Sequence, residues 1–235
     1  KSPPPSPSCP ATDSKMEGHQ HAVVVEDLAQ LGKVIDTGWT LIATSLIFIM
    51  QGGFMMLEIG AVREKNAKSS LVKKILQIGI STTAWWAIGF PLAYCAEPWD
   101  PSHYSRVFSD SAVDWTFVIL NWAFCATSTT IISGCIAERT TLRAYLVLTL
   151  LMCTIVYPVV VRAVWSKHAI LRNVEWAPWL QFEDWAGGAV VHLLGGVAGA
   201  VFAWRVGPRV GMFRNKEKER LVYRIEPHSV FLMGG

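Results

Sequence analysis

Long stretches without Asp, Glu, Lys or Arg punctuate the chain: Thr37–Leu57, Ile75–Cys95, Trp115–Ala137, Ala144–Val161 and Trp185–Trp204. Each is close to the roughly 20 residues that an α-helix needs to cross the hydrocarbon core of a bilayer. Hydrocarbon offers backbone N–H and C=O groups no partners, so a spanning segment must satisfy them internally, as a helix does. A membrane barrel would show shorter, alternating segments instead. The pattern predicts an all-α fold, a polytopic transmembrane helical bundle with spans inside residues 37–206. Buried helices of a soluble protein would be the alternative, and repeated runs of this length disfavour it.

The segments between the runs set the orientation. Arg63, Glu64, Lys65, Lys68, Lys73 and Lys74 follow the first run, and Glu138, Arg139 and Arg143 follow the third. The stretch from Arg205 to Arg224 is again basic. The other two connections carry Glu97, Asp100, Asp110 and Asp114, then Glu175, Glu183 and Asp184. By the positive-inside rule the basic segments are cytoplasmic, so a multi-pass protein of the plasma membrane with its N-terminus outside is expected. Composition agrees, with 51% hydrophobic and 17% charged residues and 11 Trp. The net charge of +3 reports topology and carries no nucleic-acid signature.

Residues 1–36 read as an extracellular tail: 1–21 are rich in Pro, Ser and His without an apolar signal core. Val24, Leu28, Leu31 and Ile35 then fall at helical spacing, as in a short amphipathic lead-in at the membrane surface or an ordinary packed turn. Residues 207–229 read as a cytoplasmic connection and 230–235 as the start of a further helix, with the chain a fragment. The 5 cysteines form no CxxC pair, and a bridge between Cys9 and Cys95 rests only on their shared side. Gly18-His19-Gln20-His21 is a His pair in a tail, so neither metal nor cofactor is expected. No nucleotide loop or nucleophile–base constellation points to an enzyme.

Polar groups inside the membrane are costly and therefore informative. His192 stands near the middle of the fifth run among Gly187, Gly188, Gly195, Gly196 and Gly199. Glycines of this kind let helices pack closely, and a membrane histidine can serve packing or function. Physics alone leaves both open. The run Asp184-Trp185-Ala186-Gly187-Gly188-Ala189-Val190-Val191-His192, continuing to Gly207-Pro208-Arg209, resembles the signature of the ammonium transporter (Amt/Mep/Rh) family. Gln51 to Asn66, Phe124 to Arg139 and Tyr157-Pro158 with Trp165 resemble further family segments in the family's order.

The resemblance implies the first five-helix repeat of an eleven-helix, inverted-repeat protomer that conducts ammonium or ammonia and assembles as a homotrimer among membrane lipids, with a possible cytoplasmic regulatory protein. An ammonium-sensing receptor of the same fold is the alternative. The resemblance also implies roles. Trp165, Phe124 and Asp184 would recruit the cation outside, Phe124 with Leu120 in place of a second phenyl ring would form the gate, and His192 would line the pore. A second pore histidine and an outer hydroxyl would lie elsewhere. Asp184 would chiefly cap a helix. Arg162 stands where the family commonly has histidine, either snorkelling outward or facing the vestibule. Glu58 would pair with a nearby basic residue.

Overall fold

A computed structural model of the protein describes residues 13–95, 113–167, 169–172, 179 and 181–209, with backbone alone over 13–22. Among the described residues every regular element is helical. These are α1 (Asp13–Gly60), α2 (Glu64–Ala84), α3 (Phe90–Tyr94), α4 (Trp115–Cys135), α5 (Leu142–Leu151), α6 (Tyr157–Val164) and α7 (Leu194–Val206). π-helical turns at Trp85–Gly89 and Met152–Val156 join α2 to α3 and α5 to α6, and a third, Gly188–Leu193, leads into α7. The result is 5 segments long and apolar enough to cross a membrane: Val23–Gly60, Glu64–Tyr94, Trp115–Cys135, Leu142–Val164 and Gly188–Val206. The chain is an integral, multi-pass membrane protein.

Two units divide at Ile42 and Ala43. In the first, the backbone is helical from Asp13, within the stretch expected to be a tail. The prolines end at Pro10, and the helix formers Met16, Glu17 and Ala22 follow. Val24, Leu28, Leu31 and Ile35 are all exposed on this helix. Cys9 and the rest of 1–12 lie outside the described residues, and Cys95 is a free thiol.

In the second unit, α2 begins at Glu64, so Lys65, Lys68, Lys73 and Lys74 are helical rather than in a loop. The reason is that α2 buries a polar stripe, Ser70, Lys74, Gln77 and Ser81, at three- and four-residue spacing. Lys74 Nζ lies 2.8 Å from Glu58 Oε2, with both side chains almost fully buried, and it also donates to Ser133. Ser133 Oγ is 2.6 Å from the same Glu58 oxygen. Gln77 donates to Thr130 Oγ1 at 2.8 Å and accepts from the Tyr145 hydroxyl. Thr130 donates to Gln51 Oε1 at 2.8 Å, and Gln51 donates to Thr127. A hydrogen-bonded network therefore joins α1, α2, α4 and α5, with donors and acceptors matched as burial away from water demands.

On its other side α4 packs against α7 through glycines. A β-carbon on Gly195 would stand 2.9 Å from the Ser128 carbonyl oxygen, and one on Gly199 would stand 2.6 Å from Cys135 Sγ. The helices approach closely because these positions lack side chains. The apolar core surrounds Trp85, Cys125, Tyr157, Val161, Val190 and Val191.

Glu138, just beyond α4, adopts φ 61°, a left-handed conformation that a side chain rarely tolerates. Its Oε1 accepts from the Arg63 backbone N–H at 3.0 Å, Arg63 Nε at 3.1 Å and Asn66 Nδ2 at 2.5 Å, while Arg209 Nη1 lies 3.1 Å from Oε2. Burial alone would raise this carboxyl, but the Asn66 and Arg63 hydrogen bonds and the Arg209 charge outweigh it and hold it below the ordinary carboxylate range. One side chain thus ties together the α1–α2 connection, the end of α4 and the exit from α7. Of the expected connection 207–229 and following helix start, only 207–209 belong to the described residues.

Candidate functional site

Trp165 caps the end of α6, its N–H bonding back to the Val161 carbonyl at 2.7 Å. Its ring meets Phe124 of α4 edge to face, with centroids 5.6 Å apart and planes at 62°. This geometry suits the aromatic quadrupoles. Trp165 Nε1 donates to Asp184 Oδ2 at 3.0 Å, which fixes the rotation of the indole.

Asp184 also orders the start of the fifth span. Its Oδ1 accepts from the Ala189 N–H at 2.8 Å and its Oδ2 from the Val190 N–H at 3.2 Å. These donors belong to the first turn, where backbone N–H groups have no helical partner and a carboxylate meets the positive end of the dipole. Ala186 (φ 55°) and Gly187 (φ 75°) make the sharp entry. Gly187 suits the left-handed conformation, and a β-carbon there would stand 2.9 Å from Val191 Cγ2.

That carbonyl corner positions His192. Its Nδ1 lies 3.2 Å from the Gly187 oxygen, which also accepts the Val191 and His192 backbone N–H groups. A carbonyl cannot donate, so the contact requires a proton on Nδ1, and in the neutral imidazole the lone pair then lies on Nε2. His192 sits within the π turn Gly188–Leu193, on an exposed flank of the span shared with Gly188 and Gly196, while Val191, Gly195 and Gly199 face inward. Trp165 thus meets both Phe124 and Asp184, and Asp184 and His192 each bond to the backbone of the same turn. Leu120 stands one turn before Phe124 on α4, half-buried, and adds no ring to the pair.

A cavity of about 250 Å³ opens beside Trp165, lined by Val164, Phe182 and Trp185 with Arg172, Glu183 and Asp184. Arg162 is turned to the end of α3: its Nη1 donates to the Cys95 carbonyl at 2.6 Å and the Leu92 carbonyl at 3.3 Å. A cation at a helix C-terminus is favourably placed. The sequence leaves an outward and a vestibule-facing orientation open; the guanidinium is engaged by these two carbonyls.

The profile described as Ammonium Transporter Family matches residues 38–233. The chain belongs to that family. Among curated relatives of the Ammonium Transporter Family, Ammonium transporter 3 of Dictyostelium discoideum is 36% identical over 200 residues, covering 85% of this chain and 44% of that protein. Ammonium transporter Amt2 of Methanocaldococcus jannaschii is 33% identical over 227 residues, covering 88% of this chain and 49% of the relative. The chain thus spans less than half the length of these family members. A solved structure titled Sensor Amt Protein superposes with a TM-score of 0.61 at 26% identity, covering 76% of this chain and 45% of that one.

Sequence reasoning about the family did not identify Lys74 as the partner of Glu58, nor the gathering of Arg63, Asn66 and Arg209 on Glu138. For the first, a signal existed in Gln51, Gln77 and Thr130, polar residues inside or beside apolar runs. For the second, nothing in the local sequence relates positions so far apart.

Proposed function

We propose that the full-length protein containing these residues conducts ammonium or ammonia across the plasma membrane as a homotrimer of eleven-helix, inverted-repeat protomers, with its N-terminus outside. The observation that carries this reading is the contact of Trp165 with Phe124 and Asp184, together with the one turn on which Asp184 caps the Ala189 and Val190 N–H groups and the Gly187 carbonyl holds His192. The Trp165 face offers a cation an attraction of about 0.5–2 kcal/mol depending on desolvation. Phe124, with Leu120 beside it, closes an apolar constriction where a bare charge is strongly disfavoured and a neutral amine is not. Beyond it, the Nε2 lone pair of His192 accepts a hydrogen bond from ammonia or takes up the proton that ammonium gives up in becoming ammonia. Membrane lipids surround the assembly, and its basic cytoplasmic segments are available to a regulatory protein.

A sensing receptor is the second reading, favoured by the likeness to Sensor Amt Protein. Uptake of methylammonium separates the two in cells lacking their own transporters and expressing the full-length protein. Uptake that depends on the protein, and that changes in rate or in ammonium-over-potassium preference with His192→Ala, is the expected result. Absence of uptake by well-expressed, inserted protein would refute conduction and favour the receptor.

A further inference from the structure

Asp184 is the carboxylate that the family resemblance assigns to cation recruitment, yet both its oxygens are occupied. Oδ1 holds the Ala189 N–H, and Oδ2 holds the Val190 N–H and the Trp165 indole. Its charge is fixed against a helix start and an aromatic ring at the cavity wall, and other charged groups line the same cavity.

Two such groups are present, and backbone contacts place them. The Leu171 N–H bonds to the Ala163 carbonyl at 3.1 Å, and the Phe182 N–H bonds to the Leu171 carbonyl at 3.0 Å. These contacts bring the two limbs of the 165–184 connection together beside Trp165. Arg172 and Glu183 each follow one of the tied residues, so both stand at the same opening, and both line the cavity. Each is exposed, and among the described residues neither takes part in an ion pair or side-chain hydrogen bond. Trp165, Phe182 and Trp185 line the same cavity beside these charges.

We propose that Glu183 and Arg172 are opposed rim charges that set how strongly a small monovalent cation is drawn to the Trp165 cavity, Glu183 attracting it and Arg172 limiting the attraction. This rests on the conduction reading above and deepens it. Rim charges act on any monovalent cation alike, so they change apparent affinity without changing the step at His192 or the preference for ammonium over potassium. They also act through solvent, so added salt weakens them over a screening length of about 30 Å at 0.01 M and about 8 Å at 0.15 M.

The test is methylammonium uptake by the full-length protein at low and at physiological ionic strength. Glu183→Gln is expected to raise KM about 3-fold at low ionic strength and Arg172→Gln to lower it by a similar factor, the size expected for one unit charge several ångströms away in a high-dielectric rim. The double variant returns close to the original value, maximal rates are unchanged, and the differences shrink in salt. An unchanged KM for Glu183→Gln beside measurable uptake by the unsubstituted protein would overturn the inference while leaving conduction intact, as would a loss confined to the maximal rate. If the unsubstituted protein takes up nothing, ammonium binding followed by tryptophan fluorescence of purified protein decides. Weaker binding by Glu183→Gln sustains the rim role without conduction, and equal or absent binding overturns it.

Discussion

Toward α1 and α2, α4 presents Thr127, Thr130 and Ser133, each hydrogen-bonded, with the Glu58–Lys74 pair closing the contact at one end. Toward α7 it presents Ser128, Ile131, Ile132 and Cys135 to glycines that leave space for nothing more. The first face is held by matched partners and the second by matched volumes. They therefore fail in opposite ways: the polar face when an atom is removed, the glycine face when one is added. His192 lies on the span that the glycine face holds, so its position depends on steric fit along that seam as well as on the turn that Asp184 caps.

The largest expected effect comes from breaking the polar face. Lys74→Met leaves Glu58 buried without its cation and should cost about 3–5 kcal/mol, whereas Glu58→Gln combined with Lys74→Met should recover most of that loss. Thermal unfolding of the full-length protein in detergent measures both, and equal stability of the single and double variants would show the pair to be incidental. Next is the glycine face. Gly195→Ala brings a β-carbon against the Ser128 carbonyl and Ile131, and should cost about 1–3 kcal/mol because backbone must shift. A neutral outcome would mean that the α4–α7 seam is looser than its geometry indicates.

Glu138 sharpens the comparison, since it couples the connections flanking both faces. Its folded carboxyl lies below the ordinary carboxylate range, so the unfolded chain binds the proton more readily. Its contribution is complete above that range and is lost as pH falls through it to the folded value. Glu138→Gln should cost roughly 1–2 kcal/mol at neutral pH and flatten the acid limb of stability. The smallest effect belongs to Asp114, which caps α4 through the Thr116 and Phe117 N–H groups at 2.9 and 3.2 Å. Asp114→Ala should cost about 1 kcal/mol, and Asp114→Asn much less.

The five spans are legible in the sequence because uncharged runs of sufficient length seldom occur outside membrane helices. The same criterion misplaces the start of the second span. It takes Lys73 and Lys74 as loop, although a lysine can enter a bundle when a glutamate on the neighbouring helix meets it, as Glu58 does. The meeting of Trp165 with Asp184 is not legible from spacing, because the intervening connection can follow many paths; family resemblance brings these residues to notice without giving their geometry. The occupation of both Asp184 oxygens and the tied connection beside Glu183 are visible only in three dimensions.

The π turns carry a consequence for how this chain tolerates changes in length. A π turn takes up one residue more than the α-helical path, and each residue of an α-helix advances the facing direction by about 100°. The insertion at Trp85–Gly89 resets the facing between the buried stripe ending at Ser81 and the later buried set Trp85, Gly89 and Ala93, just where Gly89 admits the Cys153 carbonyl closely. Deleting one residue there would turn the wide turn into an α-helical one and leave the later faces near their present direction, whereas the same deletion within the α-helical part of α2 would rotate everything after it by about 100°. Indels in this protein are therefore decided by angle before they are decided by size.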